Sequence, residues 1–172
     1  MMRRTIATGA IIIVFFVLQT SVFEMLRLAD IVPNILVILV SSMALMRGQK
    51  TGMLVGFFSG LLVDLFFGQW LGAFAFLYMV FGFVDGFFNR IYYADDNFLP
   101  LILIGANDLA YGLLMYVTHG LLKNHLHFFY YLTSIILPEM VYTVAVGLLL
   151  YQILLRLNLL LERYEEGSAD IV

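Results

Sequence analysis

TGMLVGFFSGLLVDLFF, residues 51–67, carries one acidic residue, no basic one, and glycine at every fourth position, Gly52, Gly56 and Gly60. As a helix this stretch rises about 25 Å at ~1.5 Å per residue, close to the roughly 30 Å hydrocarbon core of a bilayer. Arg47-Gly48-Gln49-Lys50 precedes it and Gly68-Gln69-Trp70 follows it, so both ends are marked by polar turns. The segment reads as one membrane-spanning helix. Glycines four residues apart let helix backbones approach closely. The stripe drifts by about 40° per step, and it serves either packing inside the protein or docking of a partner helix. Val55 lies on a different face.

Outward from this segment the same hydropathy pattern repeats. Further apolar runs cover residues 5–23, 33–46, 71–89, 98–122 and 128–155, making about six transmembrane helices in one integral membrane domain, residues 1–172. The run 33–46 is short for a span and fits a tilted helix, a thinned bilayer or a partly re-entrant segment. Pro33 suits its first turn, where a missing N–H costs nothing. Pro138 interrupts the last run and predicts a kink. Arg3 and Arg4 before the apolar residues 11–18 resemble a signal peptide, but no clear small-x-small cleavage site follows, so the run reads as a retained first helix. Residues 156–163 look amphipathic and suited to the interface, and the tail to Val172 reads as disordered.

Composition agrees with this class. Apolar residues make up 63% of the 172 and charged residues 12%, against roughly 45–50% and about 25% in soluble domains. A soluble chain of this length could not hide so much apolar surface. The net charge of −3 and the lack of a basic run exclude nucleic acid as a partner. Cysteine is absent, which excludes disulfides and thiolate chemistry. Six spans with the N-terminus inside place Arg3, Arg4, Arg47, Lys50, Arg90, Arg156 and Arg163 in the cytoplasm and only Arg27 and Lys123 outside. Short-loop basic residues favour the cytoplasmic side, so both termini are expected there.

Four acids lie in apolar segments with no Lys or Arg in those spans: Asp64, Asp85, Asp108 and Glu139. A charge at mid-membrane costs at least about 2.5–3.5 kcal/mol, so such groups face the bundle interior or a cavity. Asp64 and Asp85 fall near span ends and read as solvated caps. Asp108 and Glu139 fall near mid-membrane, each with a Tyr three residues on, Tyr111 and Tyr142, on the same helix face. Asn107 and Thr143 add polar groups nearby. Two readings stand: a neutral, hydrogen-bonded cluster joining the last two helices, or a proton or cation relay of a transport subunit. His119, His125 and His127 read as loop residues, and no nucleotide, zincin or serine-hydrolase motif is present. No cofactor or metal is expected.

Taken together, Pro33-Asn34 opening an apolar helix, Arg47-Gly48 closing it, and the series Gly52, Gly56-Phe57, Gly60-Leu61-Leu62, Asp64, Gly68 and Leu71-Gly72 resemble the MreD family of bacterial rod-shape membrane proteins. Leu137-Pro138-Glu139 with Val141-Tyr142 is similar to the family's late proline-containing helix, although Thr143 stands where an Asn often follows that Tyr. The resemblance implies a non-enzymatic scaffold of the cell-elongation complex in the bacterial cytoplasmic membrane, supporting lateral peptidoglycan synthesis. Its implied partners are MreC, the MreB filament, RodA and its penicillin-binding transpeptidase. It also implies a likeness to the six-helix substrate-binding subunits of energy-coupling-factor transporters, a likeness of fold that does not fix function. The competing class is a solute-binding or ion-coupled transport subunit using Asp108 and Glu139, which needs those acids to line a polar cavity.

Overall fold

A computed structural model describes residues 2–28, 30–68, 72–91, 98–117 and 128–169, with the side chains of residues 5–161 among them. Every described element longer than a turn is helical. The helices are α1 (Thr5–Met25), α2 (Ile35–Arg47), α3 (Gln49–Phe67), α4 (Ala73–Phe87), α5 (Phe98–Met115) and α6 (Phe128–Leu161). Of these, α1, α3, α5 and α6 are long and apolar enough to cross a membrane. The chain is an all-α, multi-pass helical bundle.

The bundle is organised around α2. Its residues Ile35 through Leu45 are all buried, and the other five helices pack around it. A helix that is apolar on every side is one that other protein surrounds. At 13 residues it is only about 20 Å long at ~1.5 Å per residue. The surrounding helices instead present their large apolar side chains outward, among them Phe66, Phe76 and Leu149. In a membrane that outer surface meets acyl chains.

The tightest contact is between α3 and α4. Gly52, Gly56 and Gly60 of α3 face Gly82, the backbone of Tyr78 and the backbone of Phe74 on α4. A Cβ added at any of them would come within 3.0 Å of backbone atoms. Gly82 and Gly86 answer from α4, against Gly52 and Gln49. The small-residue stripe is therefore used inside the protein, and backbone lies against backbone along the whole hairpin.

Within the described residues, π turns break the regular helices at Leu18–Val22 in α1 and Leu132–Ile136 in α6. The second lies just before Pro138, whose ring and missing N–H disturb the preceding turn, and the widened turn accommodates it. Residues 156–169 continue α6 as helix. The histidines His119, His125 and His127, the polar loop residues 92–97 and the last three residues lie outside the described residues.

Candidate functional site

The end of α2 that begins at Ile35 stops inside the bundle, so its free backbone groups must find partners there. Asn34 caps it, accepting from the Val37 N–H through Oδ1 at 3.2 Å. The Asn34 N–H donates to Thr143 Oγ1 of α6 at 3.0 Å. Tyr78 of α4 donates its hydroxyl to Asn34 Oδ1 at 3.2 Å. From the π turn of α1, Gln19 Nε2 donates to the Pro33 carbonyl at 3.1 Å and Gln19 Oε1 accepts the Ile35 N–H at 2.7 Å. One buried helix terminus thus joins α1, α4 and α6.

Because α2 is short, the bundle is hollow beyond this terminus. A cavity of about 970 Å³ opens there, walled by α1, the end of α3, the start of α4, α5 and α6. Gln19, Asn34, Tyr78, Tyr111, Tyr131 and Glu139 supply its polar lining, and Phe16, Phe67, Phe74 and Met115 much of the apolar part. Both π turns reach it, through Gln19 and Thr20 in α1 and Ile135 and Ile136 in α6. The rings of Phe74 and Tyr111 lie 6.0 Å apart and those of Tyr78 and Tyr111 6.2 Å apart, tilted rather than stacked.

The acids expected at mid-membrane differ in their surroundings. Glu139 lines the cavity. Asp108 is 2% exposed, with both carboxylate oxygens buried and making no hydrogen bond. The Thr143 hydroxyl is its polar neighbour, and the two acids are electrostatic neighbours of each other. Tyr111 joins Glu139 at the cavity, whereas Tyr142 turns away and donates to the Leu26 carbonyl of the chain after α1 at 3.1 Å. Asn107 faces α2 and α4 instead: its Nδ2 donates to Ser41 Oγ at 2.9 Å and to Asp85 Oδ2 at 2.7 Å. Asp108, Tyr111 and Glu139 thus stay electrostatic neighbours, while Asn107 and Tyr142 bond elsewhere.

Asp64 and Asp85 are buried rather than solvated. Asp64, at the end of α3, accepts the Phe74 N–H at 3.1 Å through Oδ1 and the Ala75 N–H at 2.8 Å through Oδ2. It caps α4 across the hairpin, where Gly72 at the cap position has no side chain to do so. Asp85 is held by Asn107 inside the bundle. Val55, on a different face from the glycine stripe, is itself 1% exposed and packs in the core.

At the opposite end of α2, Arg47 Nε donates to Asn158 Oδ1 of α6 at 2.7 Å and Nη1 to Thr8 Oγ1 of α1 at 2.8 Å. Asn89 donates to the Leu45 carbonyl. Sequence reasoning singled out none of Gln19, Asn158, Gly82 or Gly86 for these roles. Gly82 and Gly86 did carry a signal, since they repeat the four-residue spacing of α3. Among the described residues no three His, Asp or Glu side chains form a group able to hold a metal ion.

No curated protein and no solved structure matches the chain. A family model described as rod shape-determining protein MreD matches residues 2–160, nearly the whole chain. The glycine-zipped hairpin and the buried, multiply capped α2 are therefore features of a chain that belongs to the MreD family.

Proposed function

We propose that this bundle acts as a rigid membrane platform in the elongation complex, holding MreC and, through or beside it, the MreB filament, RodA and its penicillin-binding transpeptidase. The family assignment makes the chain a non-enzymatic scaffold subunit of the rod-shape machinery, and that assignment carries the reading. Rigidity supports it. The interior polar groups Asn34, Asp64, Asn107 and Arg47 are committed to bonds between helices, and the hairpin α3–α4 leaves no slack between its backbones.

The proposal includes six spans in one domain of the bacterial cytoplasmic membrane, with both termini cytoplasmic. The cavity then faces away from the cytoplasm. The proposal extends to a fold similar to that of the substrate-binding subunits of energy-coupling-factor transporters, a likeness that does not fix function. The basic residues Arg47 and Lys50 beside the α2–α3 turn, and Arg90 after α4, support this orientation. Fusions of a reporter active only in the cytoplasm test it: the C-terminal fusion is expected to be active and one in the loop at residues 123–127 silent, and the reverse pattern refutes it. The test of the scaffold is recovery of partners from native membranes on the tagged chain. MreC is expected as the strongest partner. Recovery of an ATPase transport module without the rod-shape proteins would refute the scaffold and favour transport.

A further inference from the structure

The cavity beyond α2 has the size and lining of a ligand site. Its volume of about 970 Å³ lies at the upper end of the roughly 300–1,000 Å³ typical of small-molecule pockets. The described lining holds two carboxylates, Glu24 and Glu139, and no Lys, Arg or His. Glu24 is partnered by Arg27 at 2.7 Å. Glu139 makes no hydrogen bond or ion pair among the described residues. Asp108 is its electrostatic neighbour, buried and with oxygens also without a hydrogen bond.

The same cavity has an aromatic lining. Phe74, Tyr78 and Tyr111 form a connected set of tilted rings, and Tyr131 is an electrostatic neighbour of Glu139 from its own helix. The chemistry of the possible occupants separates them. An acyl chain would press hydrocarbon on Glu139, and an acid in hydrocarbon is unfavourable by about 2.5–3.5 kcal/mol when charged. An anion would meet that carboxylate and find the Asn34, Ile35 and Val37 N–H groups at the start of α2 already taken by Thr143, Gln19 and Asn34. A cation with an apolar body finds both a carboxylate and ring faces, the two groups that hold ammonium ions in dry sites.

We infer that the cavity binds a small organic cation, a primary or quaternary ammonium on an apolar body. The nitrogen sits between Glu139 and the rings of Tyr78 and Tyr111, and the body lies against Phe16 and Phe74. This site is a second function beside the scaffold, and recovery of partners decides the scaffold independently.

The test uses the full chain purified in nanodiscs, titrated calorimetrically with benzyltrimethylammonium, choline and the neutral carbon isostere of each. Saturable binding of benzyltrimethylammonium with a rise in Tm is expected, with the neutral isostere weaker by about tenfold or more. Glu139→Gln, folded by circular dichroism, should weaken the cation by about tenfold or more, with the neutral isostere unaffected. Tyr111→Phe, which keeps the ring, should retain binding, and Tyr111→Leu should weaken it. Equal affinity for cation and isostere, full affinity in a folded Glu139→Gln protein, or no saturable binding of either cation overturns the proposal. So does a retained phospholipid that neither cation displaces, which would assign the cavity to an acyl chain.

Discussion

Replacing Asp64 by Ala removes a cap that one helix lends to another. In the structure its two oxygens accept the Phe74 and Ala75 N–H groups at 3.1 and 2.8 Å, and the residue is 3% exposed. Those amides belong to the first turn of α4, which has no intrahelical acceptor for them. Gly72 supplies none from the cap position. Each buried N–H left without a partner costs about 1–3 kcal/mol, and loss of an N-cap side chain by itself costs about 0.5–2 kcal/mol. Water reaching the shortened side chain would recover part of this, so Asp64→Ala is expected to destabilise the bundle by about 2–4 kcal/mol. Asp64→Asn keeps one oxygen but turns an NH₂ toward the other amide, and should fall between, at about 1–2 kcal/mol. Reversible unfolding in mixed micelles gives the magnitudes, and hydrogen exchange at Phe74 and Ala75 gives the location. A destabilisation of Asp64→Ala below about 0.5 kcal/mol, or unchanged exchange at those two amides, would refute the cross-helix cap.

The other expectations test packing and polar satisfaction. Gly56→Leu places a side chain where the Tyr78 backbone lies within 3.0 Å, so α3 and α4 must part, at about 1–3 kcal/mol or more; Leu54→Ala, outward on the same helix at 59% exposed, should change stability by less than about 1 kcal/mol, and a tolerated Gly56→Leu would show the zipper to be incidental. Asn107→Leu strands Asp85 Oδ2 and Ser41 Oγ and should cost about 2–4 kcal/mol, with a double-mutant cycle against Asp85→Leu returning a coupling of about 1–3 kcal/mol; simple additivity would refute the pairing. Asp108→Asn keeps the shape of a group whose oxygens make no hydrogen bond, so stability should change by less than about 1 kcal/mol and cells should stay rod-shaped. Round cells holding normal amounts of a stable Asp108→Asn protein would move proton-coupled transport ahead of the scaffold.

Hydropathy made the helical membrane class legible, because apolar runs of this length have no other stable home. Partners were less legible, because spacing along one helix does not name the helix across from it. The four-residue rhythm of Gly52, Gly56 and Gly60 stood out against its neighbours. The matching pair Gly82 and Gly86 lay in a phenylalanine-rich run, where the eye follows ring size. Position near a span end suggested that Asp64 and Asp85 meet solvent. Depth along a helix does not fix which way a side chain points, and both turn inward to donors on other helices. Gln19 gave no signal, since its role depends on a π turn that re-aims it toward α2.

The run that was hardest to place, residues 33–46, turns out to organise the rest. Its length argued against an ordinary span, and its nearly unbroken apolar character argued for burial; treated as a segment facing lipid, these two facts conflict. They agree once α2 is surrounded by protein, because a helix that never meets acyl chains has no bilayer thickness to match. The consequence follows from length alone. Five surrounding helices enclose a centre that α2 fills for only about 20 Å of a roughly 30 Å core, so space remains beyond its first residue. Non-helical backbone at membrane depth is tolerated only where protein or a water-filled cavity receives its polar groups. Gln19 and Thr143 receive them here, and Gln19, Asn34 and Tyr78 make the cavity polar on one side. The short helix, the two π turns and the hollow are one structural solution, and of the two acids facing that space Glu139 is the one with no ion pair among the described residues.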